Sequence, residues 1–293
     1  MPKLPRSSRL ASPVDTTVHG VYRIPQRPED PRPLYRFTDR VVERPQAGRY
    51  HLYAGWFCPW SQRVTIAHAL AGLQDVVTVS YVDNARDGRG WAFRERYGPD
   101  PVNGFTLLRQ AYDATEEHFD GHVSVPTLWD RTTARVVSND FKGIGIDFAT
   151  RFRHLATPVI DTYPEAHREE IEQLDAWLNP AVNRGAGLAA QPGPDGERAR
   201  TALLDALGTL DERLATRRYL LGPAITEADI RLYVTLVRYG AGLADFPHLW
   251  DYARDLHTVP AFRDTTDFTT YHAPGNELLD WDAPAHRPEG IAA

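Results

Sequence analysis

The feature that most restricts the fold of this chain is a cysteine followed by a proline. The pair lies where a strand is expected to end and a helix to begin. Residues 49–54 alternate and are rich in aromatic side chains, which indicates a β-strand. Residues 60–72 carry apolar side chains at helical spacing and end in glycine, which indicates an α-helix. Cys58 and Pro59 lie between them, and proline is favoured at the first helical position. The sulfur is therefore predicted to face unpaired N–H groups that favour the nucleophilic thiolate.

Cys58 has two interpretations. A lone cysteine is often a small buried apolar residue, but its position between a strand and a helix favours a catalytic nucleophile. Because the chain has one cysteine, it can form neither an intramolecular disulfide nor an all-cysteine metal site. Ser61 stands where a dithiol enzyme has its second cysteine, so an external thiol would have to resolve a mixed disulfide at Cys58.

Composition excludes several classes of protein. The 293 residues are 42% hydrophobic, which is enough for a sizeable core and favours two domains. The net charge of -6 argues against nucleic acid or an anionic membrane as partners. No apolar run approaches the ~20 residues that span a bilayer, and the first 20 residues lack the apolar part of a secretory signal. We therefore expect a cytoplasmic protein.

Periodicity predicts an α/β domain followed by an all-α domain. A proline- and arginine-rich stretch, 1–47, is predicted to be an extended arm over the surface, and 48–155 the α/β domain. In this domain we predict a second strand at 76–82, a long loop at 84–122, a hairpin formed by 125–129 and 134–138, and a helix at 141–152. Residues 160–268 form the predicted helical domain and 269–293 a loop-like tail. A leucine stripe at 203, 207, 210 and 214 and a capping box from Thr226 to Asp229 mark two of its helices.

Val125-Pro126 is the second feature tied to the cysteine. In thioredoxin-like folds a cis-proline begins the strand beside the reactive cysteine, and cis peptide bonds are almost confined to proline. An ordinary loop proline is the alternative, but the position after a Cys-Pro motif favours the cis interpretation.

Metal and nucleotide sites are not expected. His118 and His122 are four residues apart but lack a clear further ligand. Gly143 and Gly145 lack the third glycine of a dinucleotide-binding loop.

The chain resembles the glutathionyl-hydroquinone reductases, the Xi class of glutathione transferases. The motifs that carry the resemblance are GRYHLY at 48–53, CPW at 58–60, GWAF at 90–93, VSVPTLWD at 123–130, YP at 163–164, RYLLG at 218–222, TEADIRL at 226–232 and TLVRY at 235–239. The resemblance implies a thioredoxin-like domain before an all-α domain, the glutathione-transferase architecture, and a homodimer. It also implies that Cys58 strips a low-molecular-weight thiol from a small aromatic, quinol-type conjugate or from a mixed disulfide, and that a second thiol molecule releases it.

The same resemblance assigns candidate residues to the two sides of a site. On the thiol-binding side we expect Phe57, Pro59, Trp60, Trp91, Val125, Pro126 and Asp140. On the substrate side we expect Asn183, Gly187 and Tyr271.

Two departures from the family pattern bear on the ligands. Asp140-Phe141 replaces a Glu-Ser pair that grips the charged γ-glutamyl end of glutathione, and Gly187 occupies the place of a tyrosine that faces the quinol. All but two of the basic residues are arginine, which is typical of GC-rich bacteria, and one large group of these uses mycothiol. Mycothiol is an acetylated cysteine joined to an amino-sugar and inositol, without a γ-glutamyl group. We therefore expect mycothiol as co-substrate, with glutathione second. The alternatives are a transferase that adds a thiol to an electrophile and a non-catalytic thiol- or ligand-binding protein.

Overall fold

The structure, a computed structural model, describes residues 10–27, 29–271 and 279–285. Residues 1–9 and 28 of the predicted arm, and 272–278 and 286–293 of the predicted tail, lie outside the described residues. The chain divides into two units between Thr157 and Pro158, and the short segment Ala69–Ala71 is grouped with the second unit.

A four-stranded mixed sheet forms the centre of the first unit. Its strands are β1 (Tyr50–Ala54), β2 (Thr78–Tyr81), β3 (Thr127–Asp130) and β4 (Arg135–Ser138), in the order β2-β1-β3-β4. β1 pairs in parallel with β2 and antiparallel with β3, and β3 pairs antiparallel with β4. Every residue of β1 is buried, as expected for a central strand. The predicted thioredoxin-like arrangement is confirmed.

Among the described residues of this unit, four helices accompany the sheet: α1 (Thr16–His19), α2 (Pro59–Leu70), α3 (Arg109–Thr115) and α4 (Phe141–Thr150). α2 begins at the proline after Cys58. α3 lies inside the stretch 84–122, which the sequence predicted to be a loop throughout, and that prediction was wrong for these residues. The helix has only seven residues, too few for a helical period to be recognised, and it forms because tertiary packing buries Ala111, Tyr112 and Thr115.

The described part of the arm is mostly irregular and is bound to the rest of the first unit by hydrogen bonds and ion pairs. The carboxylate of Asp87, which is fully buried, accepts the Asp15 backbone N–H at 3.1 Å and pairs with Arg89 at 2.7 Å. Further along the arm, Arg40 pairs with Asp147 of α4 at 2.6 Å. Buried carboxylates with such partners hold irregular backbone against a domain.

The second unit is helical, as predicted. It contains α5 (Arg168–Leu178), α6 (Arg184–Ala189), α7 (Pro194–Leu214), α8 (Glu227–Tyr239), α9 (Pro247–His257) and α10 (Pro260–Arg263). Short 3-10 turns cover Glu165–His167, Ala241–Asp245 and Phe268–Thr270, and a π-turn covers Asn179–Asn183. No helix in the described ranges is long and apolar enough to cross a membrane.

Two sequence signals in this unit are confirmed. α7 buries the predicted leucine stripe. At the start of α8 the Asp229 carboxylate accepts the Thr226 backbone N–H at 2.7 Å, as the predicted capping box requires.

Candidate active site

Cys58 lies where β1 turns into α2. Its backbone N–H donates to the Gly55 carbonyl oxygen at 3.1 Å, which closes the turn. The Ser61 backbone N–H donates to Cys58 Sγ at 3.4 Å, and Sγ lies 3.4 Å from the Val125 carbonyl oxygen. The Ser61 amide is one of the unpaired donors of the first helical turn, and such donors favour a thiolate over a thiol. The geometry matches the predicted placement of the sulfur at a helix N-terminus.

The peptide bond between Val125 and Pro126 is cis, as predicted. A buried tyrosine of α3 holds this segment opposite the sulfur: the Tyr112 hydroxyl donates to the Ser124 carbonyl oxygen at 3.1 Å, accepts the Ser124 backbone N–H at 3.3 Å and lies 2.8 Å from Thr127 Oγ1. Hydrogen bonds on both sides of Val125-Pro126 therefore fix its backbone. Tyr112 was not predicted from the sequence, because one aromatic residue in a short helix carries no pattern that marks this role.

Aromatic side chains flank Cys58 in sequence and in space. Phe57 stacks on Trp91, with ring centroids 4.4 Å apart, and Trp60 stacks on Phe141 at 4.5 Å. Phe57, Trp60 and Trp91 are all partly exposed. A Cβ on Gly55 would lie 2.7 Å from the Phe57 ring, so glycine at this turn leaves room for the stack. Three of the predicted thiol-binding side chains, together with Phe141, thus form two stacked pairs. One pair contains the residue before Cys58 and the other contains Trp60, two residues after it.

Asp140 caps a helix, a role that was not predicted from the sequence. Its Oδ1 accepts the Lys142 backbone N–H and its Oδ2 accepts the Gly143 backbone N–H, both at 3.1 Å, so the carboxylate caps α4. The signal was present in the sequence, since aspartate directly before a predicted helix is a preferred cap.

The three predicted substrate-side residues belong to the second unit. Asn183 Nδ2 donates to the Arg231 carbonyl oxygen at 2.8 Å and to Thr235 Oγ1 at 2.6 Å, so this amide ties the π-turn to α8. A Cβ on Gly187 would meet no atom of the described residues within 4 Å. Tyr271 lies under the Arg238 guanidinium, 4.1 Å from its ring centroid. Burial raises the pKa of Tyr271 to about 12.

The two histidines that were considered as metal ligands have different partners in the structure. His118 is exposed beside Glu117, with 3.6 Å between Nε2 and Oε1, whereas His122 Nδ1 lies 3.2 Å from the Tyr22 hydroxyl. In the described part of the chain, no group of three or more His, Cys, Asp or Glu side chains could hold a metal ion.

Comparison with known proteins gives matches over both units. The glutathione S-transferase N-terminal domain family matches residues 57–146, and the corresponding C-terminal domain family matches residues 165–255. Glutathionyl-hydroquinone reductase PcpF of Sphingobium chlorophenolicum is 36% identical over 222 residues, which cover 70% of this chain and 71% of the relative.

Solved structures agree with the sequence comparison. The glutathione-bound structure of YqjG from Escherichia coli K-12 has 30% identity and a TM-score of 0.78, covering 83% of this chain and 89% of that one. A Xi-class glutathione transferase from Natrialba magadii has 31% identity and a TM-score of 0.80, covering 86% and 89%. The chain belongs to the glutathione S-transferase family, in the Xi class that includes the glutathionyl-hydroquinone reductases.

Proposed function

We propose that this protein is a thiol-dependent reductase that uses Cys58 to remove a low-molecular-weight thiol from a small aromatic, quinol-type conjugate or from a mixed disulfide. One observation carries the proposal: Cys58 Sγ lies 3.4 Å from the Ser61 N–H at the start of α2. A sulfur in that position is ionised more readily and attacks soft electrophiles such as another sulfur. The relative named glutathionyl-hydroquinone reductase supports the class of substrate.

The proposed reaction has two steps. The Cys58 thiolate attacks the sulfur of the conjugate, a sulfur–sulfur bond forms, and the carbon–sulfur bond breaks. The electron pair of that bond stays on the ring carbon, which takes a proton and becomes a hydroquinone. A second thiolate then attacks the mixed disulfide and releases Cys58. The balance is one conjugate and one thiol consumed, with one hydroquinone and one symmetrical disulfide formed.

Product analysis tests this reaction against the two alternatives. We expect purified protein with a thiol conjugate of hydroquinone and excess thiol to release the free hydroquinone and the disulfide, in equal amounts. A transferase that adds the thiol to an electrophile would give a product that retains the thiol. A binding protein would bind the conjugate and give neither product, and either result would contradict the proposal.

We propose mycothiol rather than glutathione as the thiol. Both carboxylate oxygens of Asp140 accept hydrogen bonds from backbone amides of α4. Phe141 stands where the family pattern has a serine hydroxyl, and its ring stacks on Trp60. A γ-glutamyl ammonium and carboxylate would therefore find fewer partners here, and mycothiol has neither group.

Replacing Phe141 tests the choice of thiol. We expect Phe141→Ser to lower the KM for glutathione about threefold to tenfold relative to Phe141→Ala, because the serine restores one hydrogen bond to a charged group. Both variants lose the Trp60 stack, so their difference isolates the hydroxyl. Steady-state kinetics with each thiol provide the measurement. Wild-type protein that uses glutathione as well as it uses mycothiol would contradict the proposal.

We also propose a cytoplasmic homodimer. A reactive thiolate that depends on a free thiol co-substrate requires a reducing compartment. The family resemblance supports the homodimer, and light scattering of the purified protein would measure its mass. From the family resemblance alone, we propose that Gly187, in place of the family's tyrosine, lets the substrate side accept a bulkier aromatic group.

A further inference from the structure

An arginine beside the candidate site packs against two aromatic rings and, within the described part of the chain, has no charged partner. The guanidinium carbon of Arg86 is 4.2 Å from the Tyr22 ring centroid and 4.3 Å from the Trp91 ring centroid. Among the residues that the structure describes, Arg86 has neither a hydrogen bond nor a carboxylate within ion-pair distance. The adjacent Asp87 pairs instead with Arg89 at 2.7 Å.

This arrangement leaves a cation with unused donors. A guanidinium has five N–H donors, and contact with aromatic rings satisfies its charge in part but none of these donors. Burial lowers the pKa of Arg86, since its surroundings replace water on part of the group. The side chain remains partly exposed, so its N–H groups are open to a ligand.

Aromatic contacts connect Arg86 to the cysteine. Trp91 stacks on Phe57 at 4.4 Å, and Phe57 precedes Cys58 in the chain. On the other side, the Tyr22 hydroxyl lies 3.2 Å from His122 Nδ1 and also hydrogen-bonds the backbone of Val123, two residues before Val125. Arg86 thus lies between Tyr22 of the arm and Trp91, and Tyr22 in turn contacts the segment that leads to Val125.

We propose that Arg86 binds the oxygen-rich end of the thiol co-substrate, remote from its sulfur, and so determines which thiols the protein accepts. This inference rests on the proposed function. The required chemistry is a group of hydrogen-bond acceptors: the glycine carboxylate of glutathione and the hydroxyl groups of the mycothiol sugar and inositol both provide it. The planar fork of arginine donates in pairs to either kind of oxygen.

The test compares Arg86→Met, Arg86→Lys and the control Arg96→Met. Arg96 is an exposed arginine on the same segment, with its guanidinium carbon 5.6 Å from the Tyr97 ring centroid. We expect Arg86→Met to raise the KM for the preferred thiol about tenfold while kcat changes less than twofold. Arg86→Lys should recover part of this loss, and Arg96→Met should match the wild type. With N-acetylcysteamine, which lacks the remote oxygens, all four proteins should have the same KM.

Two further thiols identify the group that Arg86 contacts. If the contact is a carboxylate, the effect of Arg86→Met appears with glutathione and disappears with its glycine ethyl ester. If the contact is a set of hydroxyl groups, the effect is larger with mycothiol than with glutathione.

Two results separate this inference from the proposed function. An Arg86→Met protein whose KM stays within twofold of wild type for both mycothiol and glutathione, while Cys58 still exchanges with 2-hydroxyethyl disulfide, would overturn the role of Arg86 alone. Failure of the wild-type protein to exchange with any disulfide would overturn the proposed function. An equal rise in KM for N-acetylcysteamine would show that Arg86 only supports the structure around Cys58, which also contradicts the inference.

Discussion

His51 is a buried titratable residue in the strand that leads to Cys58. Its ring is fully buried in β1, with Nδ1 2.7 Å from Thr78 Oγ1 and Nε2 2.8 Å from Ser80 Oγ. A neutral imidazole has one donor and one acceptor, which two hydroxyl groups can both satisfy. Burial lowers the pKa of His51 from 6.5 to about 4.

The lowered pKa of His51 predicts that the folded protein is less stable in mild acid. Between pH 6.5 and 4 the unfolded chain binds a proton at this position and the folded chain does not, so the free energy of unfolding falls as the pH falls. The contribution of His51 is on the order of 3 kcal/mol over that interval. Urea unfolding at several pH values should show this slope, and His51→Gln should reduce it. The slope that remains is due in part to His122, whose pKa burial also lowers to about 4.

The exposed His118 provides a matched His→Gln substitution for this prediction. The change of slope in His51→Gln is therefore measured relative to His118→Gln. A slope that His51→Gln does not alter would contradict the assignment.

At the scale of elements, α4 shows that Asp140, a residue predicted to bind the thiol, stabilises the start of a helix. Asp140 caps this helix through two backbone amides, and the same carboxylate was predicted to bind the thiol. The two roles differ in what they require. A cap needs a side-chain oxygen, whereas recognition of an ammonium group needs the negative charge.

Two substitutions at Asp140 separate these roles. Asp140→Ala should lower the free energy of unfolding by about 1 kcal/mol, and Asp140→Asn should restore most of it, because asparagine is an equally good cap. If Asp140 only caps α4, Asp140→Asn leaves the KM for the thiol unchanged. Denaturant unfolding and steady-state kinetics on the same samples measure both quantities. A large rise in KM with unchanged stability would assign Asp140 to the thiol instead.

The helices that could be predicted from the sequence are those marked by a local pattern of residues. The start of α2 at Pro59, the leucine stripe of α7 and the capping box of α8 each depend on a few adjacent residues. The helix α3 was missed because it spans seven residues and depends on burial by the rest of the first unit. Tyr112, whose hydroxyl binds the segment before Pro126, was missed with it.

At the scale of the whole molecule, the order of a thioredoxin-like unit and a helical unit was predictable, and the attachment of the arm was not. Asp15 reaches Asp87 across 72 residues, and Arg40 reaches Asp147 across 107 residues. No periodicity in the sequence encodes such pairs. The same limit applies to the site: Cys58 and the cis bond before Pro126 followed from motifs, whereas the contacts of Arg86 with Tyr22 and Trp91 appear only in three dimensions.

The most direct test of the central claim is the mass of the intact protein after exposure to the disulfide form of mycothiol or glutathione. We predict that the wild-type protein gains the mass of one thiol less two hydrogen atoms, as a disulfide at Cys58, and loses it when the free thiol is added. Cys58→Ser, measured in parallel for turnover, should lose at least a thousandfold in rate, because the hydroxyl is a far weaker nucleophile. A wild-type protein that stays unmodified by both disulfides, or a Cys58→Ser variant that retains full turnover, would contradict the account.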